Sequence, residues 1–243
     1  MSLLERIKSS TKHKRVVDRR IYAGFVVEDK PKSVDAEAFR TLRTNIQYSS
    51  FDKEIRTIAV TSSEMAEGKS TVAGNIAISF AQGEKKVILV DCDLRKPSVH
   101  KNFRTSNLVG VSEVLLGKVS LDEAVQKHNN NFNYLTSGKI PPNPSEMLGS
   151  AAMTNLIERL KDEYDLIVLD TAPLRAVTDA QILSTKVDGT ILVVRAGKTK
   201  KDVVIEAKNL LDKVGANVIG SVLNAVENTR GKYYAYYGNE DEK

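Results

Sequence analysis

One short segment of the sequence brings together residue types that bind phosphate. The segment SSEMAEGKST contains Gly68-Lys69-Ser70, which matches the core of the Walker A pattern G-x-x-x-x-G-K-[ST], with Ser63 in the place of the first glycine. In that pattern backbone amides surround phosphate groups, the lysine contacts the β and γ phosphate oxygens, and the hydroxyl binds Mg²⁺. A GKS tripeptide also occurs by chance, but a predicted strand before it and a predicted helix after it favour a nucleotide site. The residues of this predicted site are Ser63, Glu64, Met65, Ala66, Glu67, Gly68, Lys69, Ser70 and Thr71.

Three carboxylates follow two further predicted strands. The segment ILVDCDLRKP places Asp91 and Asp93 after one strand, and LIVLDTAP places Asp170 after another, at a Walker B-like position. Open α/β sheets bind their ligands at the carboxyl ends of the strands. A single Asp at such a place is commonly a helix cap or a turn residue. Three of them in a chain that also carries the phosphate loop predict a site for Mg²⁺ and a nucleotide.

The elements that must position these residues alternate between strands and helices. Apolar, β-branched runs predict strands over 56–62, 86–93, 133–138, 165–170, 189–196 and 217–224. Helices are predicted after Pro31, with Ser33 as N-cap, and over 69–82, 112–127, 150–163, 178–186 and 201–214. The segment 137–147 reads as a proline-rich loop. This order predicts an α/β fold with a doubly wound, mostly parallel sheet flanked by helices.

Composition and charge limit the possible cellular location and domain organisation of the protein. The chain has 243 residues, one cysteine (Cys92) and no apolar run near the roughly 20 residues that cross a bilayer, which favours the cytosol. The net charge is +5, and basic residues are concentrated in the first twenty positions. We expect a basic arm over 1–32, one domain over 33–225 and a tail over 226–243. The arm suits acidic lipid, nucleic acid or an acidic partner, and equally a solvated leader.

The tail concentrates tyrosine where burial is not expected. Tyr233, Tyr234, Tyr236 and Tyr237 are half of the eight tyrosines of the chain, and an acidic run follows them. Because burial of an aromatic ring lowers the free energy of the protein, four tyrosines in a polar terminus are unusual. We interpret the tail as a segment on which another site acts.

Taken together, the phosphate loop, the Asp-x-Asp segment with its following Arg and Pro, the DTAP segment and the tail resemble the bacterial tyrosine kinases (BY-kinases) of capsule and exopolysaccharide assembly. The resemblance runs from about residue 33 to 237 and implies a P-loop ATPase fold that acts as an ATP-dependent protein-tyrosine kinase. It also implies autophosphorylation of the tail tyrosines, in trans within an oligomer, and a role in the synthesis and export of the polysaccharide.

Roles for the site residues follow from this resemblance and from the chemistry of phosphoryl transfer. Lys69 and the loop amides are assigned to the phosphates of ATP. Ser70, Asp93 and Asp170 are assigned to Mg²⁺. Asp91 is assigned to the tyrosine proton, because a phenol of pKa about 10 is protonated at neutral pH. Asn224 is assigned to the adenine, with a structural role in a turn as an equal alternative.

The resemblance also implies partners. Glu37, Arg40 and Arg43 match an E-x-x-R-x-x-R oligomerisation motif, although charges at this spacing on a helix are also typical of a solvated face. The implied assembly is a homo-oligomeric ring. The implied partners are the cytoplasmic tail of a membrane-bound activator or polysaccharide co-polymerase, and a cognate tyrosine phosphatase. No nucleic acid is expected, and the chain would be cytoplasmic and recruited to the inner face of the membrane.

The sequence departs from the family pattern at the loop and after Asp170. Met65-Ala66 stands where Pro-Gly is common, and Ala66 is predicted to avoid the left-handed backbone that glycine adopts freely. Ala172 and Arg175 replace a second proline and an apolar residue. Two other functions stay open: a partition-type switch ATPase, whose signature lysine would stand at Glu64, and a nucleotide-controlled scaffold without protein phosphorylation.

Overall fold

A computed structural model describes residues 25–50 and 53–227, and these form one seven-stranded sheet with helices on both faces. The strand order is β3-β4-β2-β5-β1-β6-β7, and every pairing among them is parallel except that of β3 with β4. The predicted fold class is thus confirmed. The strands are β1 (Thr57–Ser62), β2 (Val87–Asp91), β3 (Gln126–Lys127), β4 (Phe132–Leu135), β5 (Leu166–Asp170), β6 (Gly189–Arg195) and β7 (Val218–Asn224).

The described helices cover both faces of the sheet. They are α1 (Val26–Asp29), α2 (Val34–Gln47), α3 (Lys69–Ala81), α4 (Val99–Asn102), α5 (Val111–Leu115), α6 (Leu121–Ala124), α7 (Pro144–Gly149), α8 (Ala151–Glu163), α9 (Asp179–Ser184) and α10 (Lys201–Lys213). The predicted N-cap is confirmed, because the Ser33 hydroxyl accepts a hydrogen bond from Ala36 N–H at 3.1 Å.

The central strands are buried along their whole length, which explains their continuous apolar sequences. Alternate residues of β2 and β5 face opposite sides of the sheet. Val87 and Leu89 pack into the cluster that contains α3, whereas Ile88 and Val90 pack into the cluster that contains α8. Both faces are therefore covered, as parallel sheets require.

Two predicted elements differ from the structure. The helix expected over 112–127 is two short helices, α5 and α6, followed by the antiparallel edge strand β3, because Gly117 takes a left-handed φ of 65° and Ser120 caps a new helix. The predicted loop 137–147 contains the start of α7. Pro144 stands at its first position, where the missing N–H of proline is not needed.

The packed domain begins before the expected boundary at residue 33. Phe25 is 3% exposed and Val27 is fully buried, and both belong to the cluster around α3. A Cβ atom on Gly74 would lie 1.9 Å from the Phe25 ring, so this glycine makes room for the aromatic side chain. The residues from 25 onwards are therefore part of the domain and not of an arm, while residues 1–24 lie outside the described part of the chain.

Candidate functional site

The phosphate loop joins the end of β1 to the start of α3 at the carboxyl edge of the sheet. Gly68 is the N-cap of α3 and has a left-handed φ of 94°. A Cβ atom at this position would lie 2.0 Å from Nδ2 of Asn224, so both the backbone geometry and the space require glycine. The loop therefore brings its amides and the positive end of the α3 dipole to one place, which suits an anionic ligand.

Ala66 corrects one prediction from the sequence. Its φ is 62°, so the alanine adopts the left-handed conformation that it was expected to avoid. Left-handed residues alternating with ordinary ones turn successive N–H groups toward one point and make an anion-binding nest. The geometry of the nest is kept here with an alanine, at a backbone cost of about 1–2 kcal/mol.

Ala66→Gly is expected to relieve this strain. The free energy of unfolding should rise by about 0.5–1 kcal/mol, because the gain at positive φ exceeds the added chain entropy of glycine. Chemical denaturation of the two proteins measures the difference. Met65→Gly is a control at the adjacent position, which has no positive φ; stabilisation by both changes alike would contradict the explanation.

The three predicted carboxylates meet beside Lys69. Asp91 and Asp170 are register partners of the adjacent parallel strands β2 and β5, and Asp93 follows two residues later. Lys69 Nζ lies 2.9 Å from Asp93 Oδ2 and 3.4 Å from Asp170 Oδ1. Residues that are 101 positions apart in the chain are thereby brought into one charged cluster.

Burial and charge shift the pKa values of this cluster in opposite directions. Burial would lower the pKa of Lys69, but the Asp170 and Asp93 carboxylates raise it above its ordinary value. Burial would raise the pKa of Asp93, but the Lys69 ammonium and hydrogen bonds lower it. Burial raises the pKa of Asp170, only partly offset by Lys69. Lys69 and Asp93 therefore form an ion pair at neutral pH.

The cluster fits Mg²⁺ bound together with phosphate. Asp170 Oδ2 is buried and has no hydrogen-bond partner among the described residues, so it offers a free lone pair inside the site. Within residues 25–50 and 53–227, no group of three or more His, Cys, Asp or Glu side chains is arranged to hold a metal ion alone. Mg²⁺ commonly binds through one or two carboxylates, water and substrate phosphates, which agrees with both observations.

Asp91 differs from its neighbours in what it contacts. Its carboxylate accepts hydrogen bonds from the N–H groups of Ser98, Val99 and Asp93, at 3.0, 2.9 and 3.2 Å, and it has no exposed surface. Burial and the nearby Asp170 raise its pKa to about 7 despite these bonds. The carboxylate both organises the turn into α4 and titrates near neutrality.

Asn224, at the end of β7, contacts the loop directly. Its Nδ2 donates a hydrogen bond to the carbonyl of Glu67 at 2.9 Å, which is the structural role that the sequence left open. A groove of about 610 Å³ lies beside it, between β7 and the helices α2 and α3, and Thr71 also lines it. The adenine assignment stays a prediction, and this groove is the space available for a base.

Arg175 and Arg195 contact the phosphate loop, which the sequence pattern did not predict. Arg175 forms ion pairs with Glu64 at 2.6 Å and with Glu206 at 3.0 Å. Arg195 Nη1 donates to the carbonyl of Ala66 at 3.0 Å. Both act on the phosphate loop from distant parts of the chain, and only the assembled sheet reveals them.

The three residues of α2 that match the oligomerisation motif lie in different environments. Glu37 and Arg40 form an exposed ion pair of 2.8 Å. Arg43 instead donates from Nη1 to the carbonyl of Ser79 at 2.6 Å, near the end of α3. Arg43 therefore joins two helices of its own chain, whereas Glu37 is exposed and Arg40 contacts both Glu37 and the carbonyl of Pro31.

Arg43→Ala is expected to lower the free energy of unfolding by about 1.5–3 kcal/mol, because a charged hydrogen bond to a part-buried carbonyl is lost. Glu37→Ala is the matched control on the same helix, with an expected change below about 0.5 kcal/mol for an exposed pair. Thermal and urea unfolding compare the two variants. Equal effects of the two changes would contradict the difference in environment.

The remaining predicted residues lie outside the described part of the chain. These are the tail residues Tyr233, Tyr234, Tyr236 and Tyr237. Among the described helices, none combines the length and the apolar character needed to span a membrane.

Comparison with known proteins identifies the family. The family model described as AAA domain matches residues 55–214. The tyrosine-protein kinase YwqD of Bacillus subtilis is 43% identical over 91% of this chain and 94% of its own length. The putative tyrosine-protein kinase CapB of Staphylococcus aureus is 40% identical over 88% of this chain and 95% of its own length.

Solved structures agree with these relatives. The kinase domain of the Escherichia coli tyrosine kinase ETK superposes with a TM-score of 0.80 at 34% identity, over 91% of this chain and 87% of that one. The chimerical protein CapA2B2 superposes with a TM-score of 0.79 at 38% identity, over 82% and 88%. A plasmid partition protein of Borrelia burgdorferi, at 22% identity and a TM-score of 0.58 over 72% and 84%, shares the fold alone. The chain therefore belongs to the bacterial tyrosine kinases, a family of P-loop proteins with protein-tyrosine kinase activity.

Proposed function

We propose that this kinase transfers the γ-phosphoryl group of Mg-ATP to the tyrosine cluster in the C-terminal tail of a neighbouring copy. The observation that carries the proposal is the meeting of Lys69 with Asp93 and Asp170 at the phosphate loop, where Asp170 Oδ2 has no partner among the described residues. Phosphoryl transfer needs mainly positioning and charge neutralisation, and this cluster supplies both.

Each residue of the cluster has a distinct task in this proposal. Lys69 and the amides of the loop bind the phosphates, and Ser70, Asp93 and Asp170 would hold Mg²⁺. When bound, the metal supplies positive charge to the phosphate oxygens. The Lys69 ammonium contacts both carboxylates here, so it must move toward the phosphates before both carboxylates can bind a cation. The loop amides require no such movement.

Asp91 is the proposed acceptor of the tyrosine proton. A carboxylate with a pKa near 7 matches this task better than one with an ordinary pKa, because proton transfer is favoured when the base titrates near the working pH. Because the Asp91 carboxylate has no exposed surface in this structure, neighbouring residues must move before a phenol can reach it. Asp93 is the next candidate for this role if Asp91 does not perform it.

The tail is long enough to reach a second subunit. Val226 lines the groove beside Asn224, and the dozen residues from there to Tyr237 extend at most about 40 Å. In an oligomer the local concentration of such a tail is about millimolar, so weak binding is sufficient for modification. Glu37 and Arg40 are the proposed surface contacts of that oligomer.

The cellular role follows from the family. We propose that the chain acts in the synthesis and export of capsular or extracellular polysaccharide. In this role it works with the cytoplasmic tail of a membrane-bound activator, which recruits it to the inner face of the membrane, and with a tyrosine phosphatase that resets it.

Mass spectrometry of a mixture of two variants tests the proposal. One variant, Lys69→Ala, keeps the tail tyrosines but lacks the lysine that binds the phosphates of ATP. The other carries Phe at all four tail positions and keeps the active site. Incubated alone with Mg-ATP, neither should gain phosphate on the tail; mixed, the Lys69→Ala chain should be phosphorylated on Tyr233 to Tyr237. Phosphate on the wild type but not in the mixture would restrict the reaction to one chain.

The open alternatives give a different result in the same experiment. A partition-type switch ATPase or a nucleotide-controlled scaffold would show Lys69-dependent nucleotide binding without phosphate on any tyrosine. Adding the activator segment of a relative in a second series separates an inactive kinase from a switch ATPase. Phosphate that appears only with the segment would keep the kinase function.

A further inference from the structure

The strained phosphate loop is held by a side chain within it. Glu67 is 2% exposed although it lies between the two left-handed residues Ala66 and Gly68. Its Oε2 accepts a hydrogen bond from the N–H of Glu64 at 2.9 Å, and its Oε1 accepts one from the hydroxyl of Thr199. Thr199 belongs to the connection between β6 and α10, so this bond ties the loop to a separate part of the fold.

The direction of the Thr199 hydroxyl is fixed by a second contact. Its oxygen accepts a hydrogen bond from the N–H of Arg195 at 3.3 Å, while the N–H of Thr199 donates to the carbonyl of Arg195 at 3.1 Å. One of the two lone pairs of the hydroxyl accepts this bond, and its proton is donated to Glu67. The turn after β6 thus presents a prepared donor to the loop.

The same region turns the peptide units of the loop. Arg195 holds the carbonyl of Ala66, and Asn224 holds the carbonyl of Glu67. In a planar trans peptide the carbonyl and the following N–H point in opposite directions. Holding these two carbonyls on the side of β6 and β7 therefore turns the N–H groups of Glu67 and Gly68 toward the other side, into the nest.

A buried carboxylate beside a binding site for polyphosphate is unfavourable unless it has a structural purpose. We propose that Glu67 and Thr199 are a positioning pair: their hydrogen bond holds Ala66 in its left-handed conformation and thereby sets the affinity of the loop for the phosphates of ATP. The inference rests on the proposed function only in taking ATP as the ligand. Neither side chain is assigned a contact with the reacting atoms.

Thr199→Val and Thr199→Ser test the pair in the full-length chain. Valine keeps the shape and loses the donor, whereas serine keeps the donor. The dissociation constant of a fluorescent ATP analogue with Mg²⁺ should rise about tenfold in Thr199→Val, which is the effect expected for loss of a hydrogen bond to a charged group. In Thr199→Ser it should rise less than about twofold. In kinase assays the KM for ATP should rise with kcat unchanged, which a general loss of structure would not produce.

The strained alanine supplies the decisive comparison. In an Ala66→Gly background, glycine takes the left-handed conformation without help, so Thr199→Val should weaken binding by only about threefold or less. Equal binding by Thr199→Val and Thr199→Ser, or an undiminished tenfold loss in the Ala66→Gly background, would overturn the inference. Since binding is the readout, a wild-type protein that binds the analogue but phosphorylates nothing would contradict the proposed kinase reaction and leave the pair supported.

Discussion

Replacing Lys69 with alanine is expected to lower the rate of phosphoryl transfer by at least about 10³-fold, because a positive charge on the transferred group is lost. The same change should lower the free energy of unfolding by about 3 kcal/mol, since Asp93 and Asp170 would remain buried without their cation. Single-turnover assays and urea unfolding measure the two effects. Lys69 is thus expected to be both a catalytic residue and the counterion of the Asp93 and Asp170 carboxylates.

A surface lysine and added Mg²⁺ provide the controls. Lys85 forms an exposed ion pair with Glu54 at 3.1 Å, and Lys85→Ala should change stability by less than about 0.5 kcal/mol. Mg²⁺ alone should raise the unfolding temperature of Lys69→Ala more than that of the wild type, because the metal replaces the missing ammonium charge. Equal stabilisation of both proteins by Mg²⁺ would contradict the placement of the metal at Asp93 and Asp170.

Asp91→Asn is expected to lower transfer by about 10²–10⁴-fold while the affinity for ATP is retained. Because the pKa of Asp91 is raised to about 7, the wild-type rate should increase from pH 6 to pH 8 as the carboxylate loses its proton. The residual rate of Asp91→Asn should lack this increase. An unchanged pH profile in the variant would remove Asp91 from the proton-accepting role and direct attention to Asp93.

The same carboxyl also makes stability depend on pH. Its pKa in the folded protein lies above the ordinary value of about 3.9, so the unfolded chain releases the proton first as the pH rises. The stability that Asp91 contributes is full below about pH 4 and is lost as the pH rises through about 7. Comparing wild type and Asp91→Asn by urea unfolding across this range separates that contribution from the loss of activity.

Local signals in the sequence were sufficient for the central part of the fold. The buried parallel strands read as continuous apolar runs, and α2 begins at a side-chain cap, so both were predictable from neighbouring residues. The 112–127 segment was not, because its apolar spacing fits a helix until Gly117 takes a positive φ, and a paired edge strand depends on a partner that is distant in the chain. Tertiary pairing decided that segment.

The candidate site divides in the same way. Gly68-Lys69-Ser70 and the three aspartates follow strand ends, so the sheet brings them together by topology alone. Contacts between distant loops determine the conformation of Ala66 and the partners of Glu67, Thr199 and Arg175. No spacing in the sequence predicts these contacts. For Arg43 the sequence pattern was misleading. Its place in an oligomerisation motif predicted a contact with another subunit, but its guanidinium donates to the carbonyl of Ser79 in its own chain.

The distances along the chain that the site spans have a consequence for folding. The contact of Lys69 with Asp170 joins residues that are 101 positions apart in the chain, and the contact of Asn224 with Glu67 joins residues that are 157 positions apart. Contacts of such separation form late, because the entropy of closing the chain must be offset by structure already formed. During synthesis the charged cluster therefore cannot form before Asp170 of β5 has emerged, and the loop lacks its contact with Asn224 until β7 has emerged, so we expect an incomplete chain to bind no ATP. Nucleotide then stabilises only the finished domain and becomes a ligand that selects fully folded kinase from its intermediates.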